Sequence, residues 1–174
     1  MLGDALADDI HLSIAGFAKQ CGGPVHFVAH SMGGLLTRVY IARHRPIRLG
    51  RVVMLGTSNG GSEVADLLKE LSIYRAVFGP AGLQLTTVPD PVLAGLPSPD
   101  YEIGIIAGCR TIAPIASAFV LPRPNDGRVS VASAKLADMS DHIVVKASHT
   151  GLPRHSVAIE QTIAFLDHGR FWSL

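Results

Sequence analysis

The chain has little net charge and few charged residues. Its 174 residues carry 15 Lys or Arg against 14 Asp or Glu, a formal net charge of +1, and charged residues make up only 17% of the sequence. Binding to nucleic acid or to an acidic membrane surface through electrostatics needs a strongly basic balance. The composition therefore argues against either as the main partner.

Cysteine is scarce as well, and long apolar runs are absent. Cys21 and Cys109 stand far apart with no C-x-x-C pair, so we expect reduced structural thiols rather than a disulfide framework. No apolar run approaches the length of a transmembrane helix. Asp4, Asp8 and Asp9 occupy positions where a signal peptide needs first a basic and then an apolar region. As the chain stands, these features predict a cytoplasmic protein without a transmembrane segment.

Apolar residues are abundant and fall into alternating strand-like and helix-like segments. They make up 48% of the chain, enough to cover both faces of a sheet in one domain over residues 1–174. The alternation predicts a three-layer α/β fold with a mostly parallel sheet of about four strands. The predicted strands are Val25 to Ala29, Arg51 to Leu55, Ile103 to Ala107 and His142 to Ala147. The predicted helices are one that ends before Gly22, one that ends near His44, Glu63 to Leu71, and about Arg154 to His168. The apolar face of the first helix is assigned to Leu6, Ile10, Ile14 and Phe17, and that of the last helix to Val157, Ile159, Ile163, Phe165 and Leu166.

One segment, Val25 to Arg38, combines a buried strand, a tight turn and the start of a helix. Its centre, Ala29 to Gly33, has the small-x-Ser-x-Gly pattern of a nucleophile elbow. The serine of such a turn has a strained backbone, and small residues two positions away let strand and helix approach closely. Ser31 is therefore a candidate nucleophile, with the N–H of Met32 as a candidate oxyanion donor. The alternative is an ordinary turn in which Ser31 caps the helix.

A serine nucleophile needs a general base that is itself held in one tautomer. In a parallel sheet, functional groups gather beyond the carboxyl ends of the strands. Of the eight histidines, His149 directly follows a predicted strand end. His155, at the opening of the last helix, is the alternative.

The candidate acid is Asp126, in the connection after the third predicted strand. Asn125-Asp126-Gly127 is also an ordinary turn sequence. The order Ser31, Asp126, His149 is the one expected when an elbow serine heads the triad. Asp90, after the second predicted strand, is the alternative.

These motifs, in this order, resemble the bacterial lipases and esterases of the α/β-hydrolase superfamily that carry A-H-S-M-G-G at the elbow. The resemblance covers most of the chain: HSMGGLLTRVYIARHRP resembles the elbow and its helix, VVMLGTSNGGSEVAD the loop after the next strand, NDGRVSVASAKL the acid loop, and SHTGLPRH with FLDHGRF the histidine loop and closing helix. It implies that Ser31 is the nucleophile, Asp126 the acid, His149 the base and the Met32 N–H an oxyanion donor. The implied reaction is hydrolysis of a carboxylic ester through an acyl-enzyme, without a metal or an organic cofactor.

The resemblance ends near the N-terminus. Such hydrolases carry a strand and an H-G loop before the elbow, and this loop supplies the second oxyanion N–H. Only 24 residues precede Val25, and they hold no H-G pair. We therefore expect a domain that is N-terminally incomplete relative to the family, with the Val25 to Ala29 edge open to self-association. An N–H of the Gly56 to Gly61 loop is the alternative second donor.

Two apolar stretches bear on the substrate. We expect both stretches, Thr111 to Leu121 and Ile73 to Leu96, to line or cover the edge of the sheet that carries the candidate triad. Thr111 to Leu121 is equally compatible with a core segment. Apolar walls beside a serine elbow favour an acyl chain, and so a small-molecule or lipid ester. A thioesterase or acyltransferase with the same triad is one alternative. An inactive product that keeps these residues is the other.

Overall fold

The computed structural model describes residues 2–60, 95–111 and 121–173. The predicted helix Glu63 to Leu71, Asp90, most of the stretch Ile73 to Leu96 and nearly all of Thr111 to Leu121 lie outside these residues. The described strands are β1 (Val25–His30), β2 (Leu49–Leu55), β3 (Ile103–Gly108) and β4 (Asp141–Val145). The described helices are α1 (Leu2–Cys21), α2 (Met32–His44), the short α3 (Val131–Ala134), a 3-10 turn (His149–Arg154) and α4 (Ser156–His168).

The four strands form one parallel sheet in the order β1-β2-β3-β4. The prediction of a parallel sheet of about four strands is therefore confirmed. β4 ends two residues earlier than predicted, because the N–H of Ala147 turns back to the carbonyl oxygen of Val145 at 2.8 Å. Since all four strands run the same way, the segments that follow them emerge at one edge of the sheet.

Both faces of the sheet are covered, which gives three layers. Successive side chains of a strand point to opposite faces, and in β2 Val52 and Met54 pack with α1, α2 and α3, whereas Val53 and Leu55 pack with α4. β3 is buried along its whole length. This two-sided burial explains why the central strands read as continuous apolar runs.

The buried face of α4 differs from the predicted one. Ile159 and Ile163 are 46% and 54% exposed, whereas Ala158, Gln161 and Phe165 are buried. The small side chain of Ala158 faces the core, and Phe165 packs where Gly104 of β3 has no side chain. Gln161 is buried because its amide group exchanges hydrogen bonds with the backbone of Trp172, at 3.2 and 2.8 Å. The prediction therefore holds for Phe165, Val157 and Leu166, which lie in or against the core, and is wrong for Ile159 and Ile163.

α1 contacts α2 and packs Ile10 and Ile14 against the core, as its apolar spacing predicted; Ala7, which was not assigned to that face, is buried there too. Phe17, assigned to the same face, is 56% exposed. Cys21 and Cys109 are both free thiols. Within the described ranges, no helix combines the length and apolar character needed to cross a membrane.

Candidate active site

Ser31 occupies a strained turn between β1 and α2. Its backbone has φ 55° and ψ −127°, in the positive-φ region that non-glycine residues seldom adopt. The Ser31 N–H donates to the carbonyl oxygen of Leu55 at 2.9 Å, and its own carbonyl oxygen accepts the Thr57 hydroxyl at 2.8 Å. Its side chain makes no capping hydrogen bond to α2. The turn therefore has the backbone of an elbow and not that of a serine N-cap.

The close approach at this turn falls at Gly34, one residue later than the sequence pattern suggests. A Cβ atom on Gly34 would lie 2.2 Å from the Thr57 hydroxyl oxygen, whereas one on Gly33 would lie 3.9 Å from the Ala29 Cβ, an ordinary contact. Thr57 is fully buried. The tight fit is therefore between α2 and the loop after β2.

The structure brings Ser31, His149 and Asp126 into one hydrogen-bonded line. His149 Nε2 lies 2.9 Å from Ser31 Oγ, and His149 Nδ1 lies 2.9 Å from Asp126 Oδ2. His149 is 5% exposed and Asp126 2%. A carboxylate can only accept, so Nδ1 carries the proton and donates to Asp126. Nε2 is then free to accept the Ser31 hydroxyl proton.

Asp126 forms the predicted turn and reaches the histidine with the same side chain. Its Oδ1 accepts the backbone N–H groups of Arg128 and Val129 at 2.9 and 2.8 Å, which leaves Oδ2 for His149. The Asp126 carbonyl oxygen also accepts the His149 N–H at 2.9 Å. The turn and triad interpretations of this segment are therefore compatible.

The other candidates lie elsewhere. His155 occupies the N-cap position of α4 without a side-chain capping hydrogen bond, and its buried Nδ1 has no hydrogen-bond partner among the described residues. Asp100 and Glu102 precede β3, at the opposite edge of the sheet from the triad, and pair with Arg45 and Arg51.

Sequence reasoning missed the position of two residues, Gly56 and His30, beside the Asp126–His149 pair. A Cβ on Gly56, which has φ 56°, would lie 3.0 Å from Asp126 Oδ2 and 3.3 Å from His149 Nδ1. His30 packs its ring against His149, with 4.8 Å between ring centroids, and its Nε2 lies 3.0 Å from the His149 carbonyl oxygen. Burial is the largest cause that lowers the pKa of His30 below its usual 6.5. The position of His30 directly before Ser31 was the available signal.

The N–H of Met32 belongs to the first residue of α2 and has no acceptor within the helix. In the loop after β2, three N–H groups are already engaged. The Gly56 N–H donates to the Ile106 carbonyl oxygen, and the N–H groups of Asn59 and Gly60 both donate to the Ser133 carbonyl oxygen. These three groups are therefore not available as the second oxyanion donor. Within the described residues, no group of three His, Cys, Asp or Glu side chains is placed to hold a metal ion.

Comparison with known proteins shows the fold. No protein-family model matches the chain, and no curated protein matches it significantly in sequence. Among solved structures, the mature lipase BlEst2 of Bacillus licheniformis is similar with a TM-score of 0.61 at 17% identity, over 97% of this chain and 73% of the lipase chain. The propeptide form of that lipase gives 0.63 at 18% identity, over 99% of this chain and 40% of that one. A thermophilic esterase gives 0.57 at 16% identity, over 96% and 73%. The chain has the α/β-hydrolase fold that these bacterial lipases and esterases share.

Proposed function

We propose that this protein is a serine carboxylic-ester hydrolase that acts through an acyl-enzyme on a small-molecule or lipid ester. Ser31 is the nucleophile, His149 the general base and acid, and Asp126 the residue that orients His149. The observation that carries the proposal is the line from Ser31 Oγ to His149 Nε2 and from His149 Nδ1 to Asp126 Oδ2, with 2.9 Å at each step. Nucleophile, base and orienting acid within hydrogen-bond reach are the signature of an activated serine.

The reaction has two halves with the same proton carrier. Ser31 Oγ attacks the acyl carbon while its proton passes to His149 Nε2, and the alcohol leaves with that proton as the C–O bond breaks. Water then attacks the acyl-enzyme and gives a proton to Nε2, and Ser31 Oγ recovers it as the carboxylic acid departs. Asp126 stabilises the imidazolium that forms in each half.

We assign to the Met32 N–H the hydrogen bond that stabilises the oxyanion of each tetrahedral intermediate. This group is at the N-terminus of α2, where the helix dipole favours negative charge. Loss of one oxyanion donor costs about 100- to 1,000-fold in rate. If the Met32 N–H is the sole oxyanion donor, we expect weak esterase activity.

Hydrolysis of p-nitrophenyl esters of increasing acyl length tests the proposal. We expect turnover by the parent chain and loss of turnover in Ser31→Ala and His149→Ala to a similar degree, because the triad acts as a unit. Ser13→Ala, at an exposed position of α1, is the matched control. Turnover that survives Ser31→Ala contradicts the proposal. Acyl transfer to an added alcohol in preference to water would instead indicate an acyltransferase.

A further inference from the structure

We propose that His30 is a positioning residue that holds the His149 turn against the nucleophile elbow. The inference rests on the proposed function of Ser31 and His149. It starts from two contacts, the 3.0 Å hydrogen bond from His30 Nε2 to the His149 carbonyl oxygen and the packing of the two rings at 4.8 Å.

The direction of this hydrogen bond determines the tautomer of His30. A carbonyl oxygen only accepts, so Nε2 must carry the proton and donate. Burial favours the neutral ring, and positive charge on His149 or Arg128 acts in the same direction, whereas Asp126 and the hydrogen bond itself oppose it. A neutral His30 can therefore remain beside His149 when that ring becomes an imidazolium during the reaction.

His149 is held on two sides, by the acid loop and by the end of β1. Its N–H donates to the Asp126 carbonyl oxygen at 2.9 Å, and its carbonyl oxygen accepts from His30. The first bond joins His149 to the acid loop, and the second joins it to the last residue of β1, which immediately precedes Ser31. Without His30, the described contacts leave the His149 ring tied to the elbow only through Ser31 Oγ.

Small displacements at such a junction affect the rate strongly. A misplacement of about 1 Å in a catalytic group can cost about 100-fold in rate. We therefore expect His30→Leu, which keeps apolar bulk but has no donor, to lower kcat by about 10- to 100-fold with KM little changed. His30→Gln, whose amide nitrogen can reach the position of Nε2, is expected to restore most of kcat.

The control is His26→Leu. His26 lies on the same strand, but its Nδ1 accepts the Arg51 N–H, and no contact between His26 and the triad is found among the described residues. Hydrogen exchange provides a readout independent of turnover. The amides of Gly151 and Leu152, which donate to the Ser148 carbonyl oxygen, are expected to exchange faster in His30→Leu and unchanged in His26→Leu.

Several outcomes decide the inference. Unchanged kcat and unchanged hydrogen exchange in His30→Leu overturn it. A folded His30→Gln variant whose kcat is as low as that of His30→Leu overturns it as well. If His30→Leu fails to fold, His30→Asn takes its place in the test. The asparagine amide is too short to reach the His149 carbonyl oxygen, so His30→Asn should lower kcat whereas His30→Gln does not. A parent chain without esterase turnover defeats the proposed function, whereas an active parent with an unaffected His30→Leu defeats only the positioning role.

Discussion

The Thr57 hydroxyl donates a 2.8 Å hydrogen bond to the carbonyl oxygen of Ser31, and the same side chain occupies the space in front of Gly34. The buried Thr57 side chain thus supports the strained Ser31 and also requires a glycine at position 34, three residues after Ser31. This relationship links the loop after β2 to the elbow.

We predict that Gly34→Ala destabilises the protein, because the added Cβ would lie 2.2 Å from the Thr57 hydroxyl oxygen. Overpacking of this kind costs about 1 to 3 kcal/mol in the free energy of unfolding. Gly33→Ala is the matched control, since its Cβ finds an ordinary contact and alanine is favoured over glycine in a helix. Urea denaturation measures both. Equal stability of the two variants would refute this account of the elbow.

We predict that Asp126→Asn lowers kcat by about 10⁴-fold while the fold is kept, since an amide can favour the wrong tautomer of His149. Steady-state kinetics with circular dichroism measures both properties. Asp138→Asn, at an exposed position, is the control. An unaffected Asp126→Asn would point to Asp90 instead.

Stability is predicted to fall as the pH drops below about 6.5. Burial, the largest cause, and nearby Lys135 lower the pKa of His142 from its usual 6.5, whereas Asp141 opposes them. Below that pH the unfolded chain takes up a proton that the folded chain does not bind, so the free energy of unfolding decreases until the folded pKa is reached. In the part of the chain that the structure describes, the buried His142 Nε2 has no hydrogen-bond partner.

His142→Leu should therefore flatten the pH dependence between pH 7 and 5, as measured by urea unfolding. His168→Leu, on the exposed surface of α4, is the control. An unchanged slope in His142→Leu would contradict the assignment. Part of the slope should remain, because burial lowers the pKa of His30 in the same direction.

Self-association through β1 is the fourth prediction. Among the described strands β1 pairs only with β2, and Val28 on it is 53% exposed. An open apolar edge is a template for pairing with another chain. Sedimentation velocity should show concentration-dependent association that Val28→Lys reduces and Ile163→Lys, at an exposed position of α4, leaves unchanged. A parent chain that is monomeric at every concentration would contradict the prediction.

The elements that could be predicted are those with local signals. The elbow residues from Ala29 to Gly33 encode a turn in five positions, and the apolar runs of β2 and β3 reflect burial on both faces. The rule that functional residues follow the carboxyl ends of parallel strands then predicted that Asp126 and His149 lie at the same edge of the sheet.

What could not be predicted depends on contacts between segments distant in sequence. The burial of Gln161 instead of Ile159 depends on the backbone of Trp172, and the requirement at Gly34 depends on Thr57. The contact between His30 and His149 spans 119 positions. Periodicity within a helix or strand contains no information about these partners.

The central claim is that His149 activates Ser31, and covalent labelling with a fluorophosphonate tests it most directly. Mass spectrometry of the digested protein should find the adduct on Ser31 alone, with no labelling in Ser31→Ala and much slower labelling in His149→Ala. Labelling of the parent chain at another serine, or labelling that persists in Ser31→Ala, would contradict the claim.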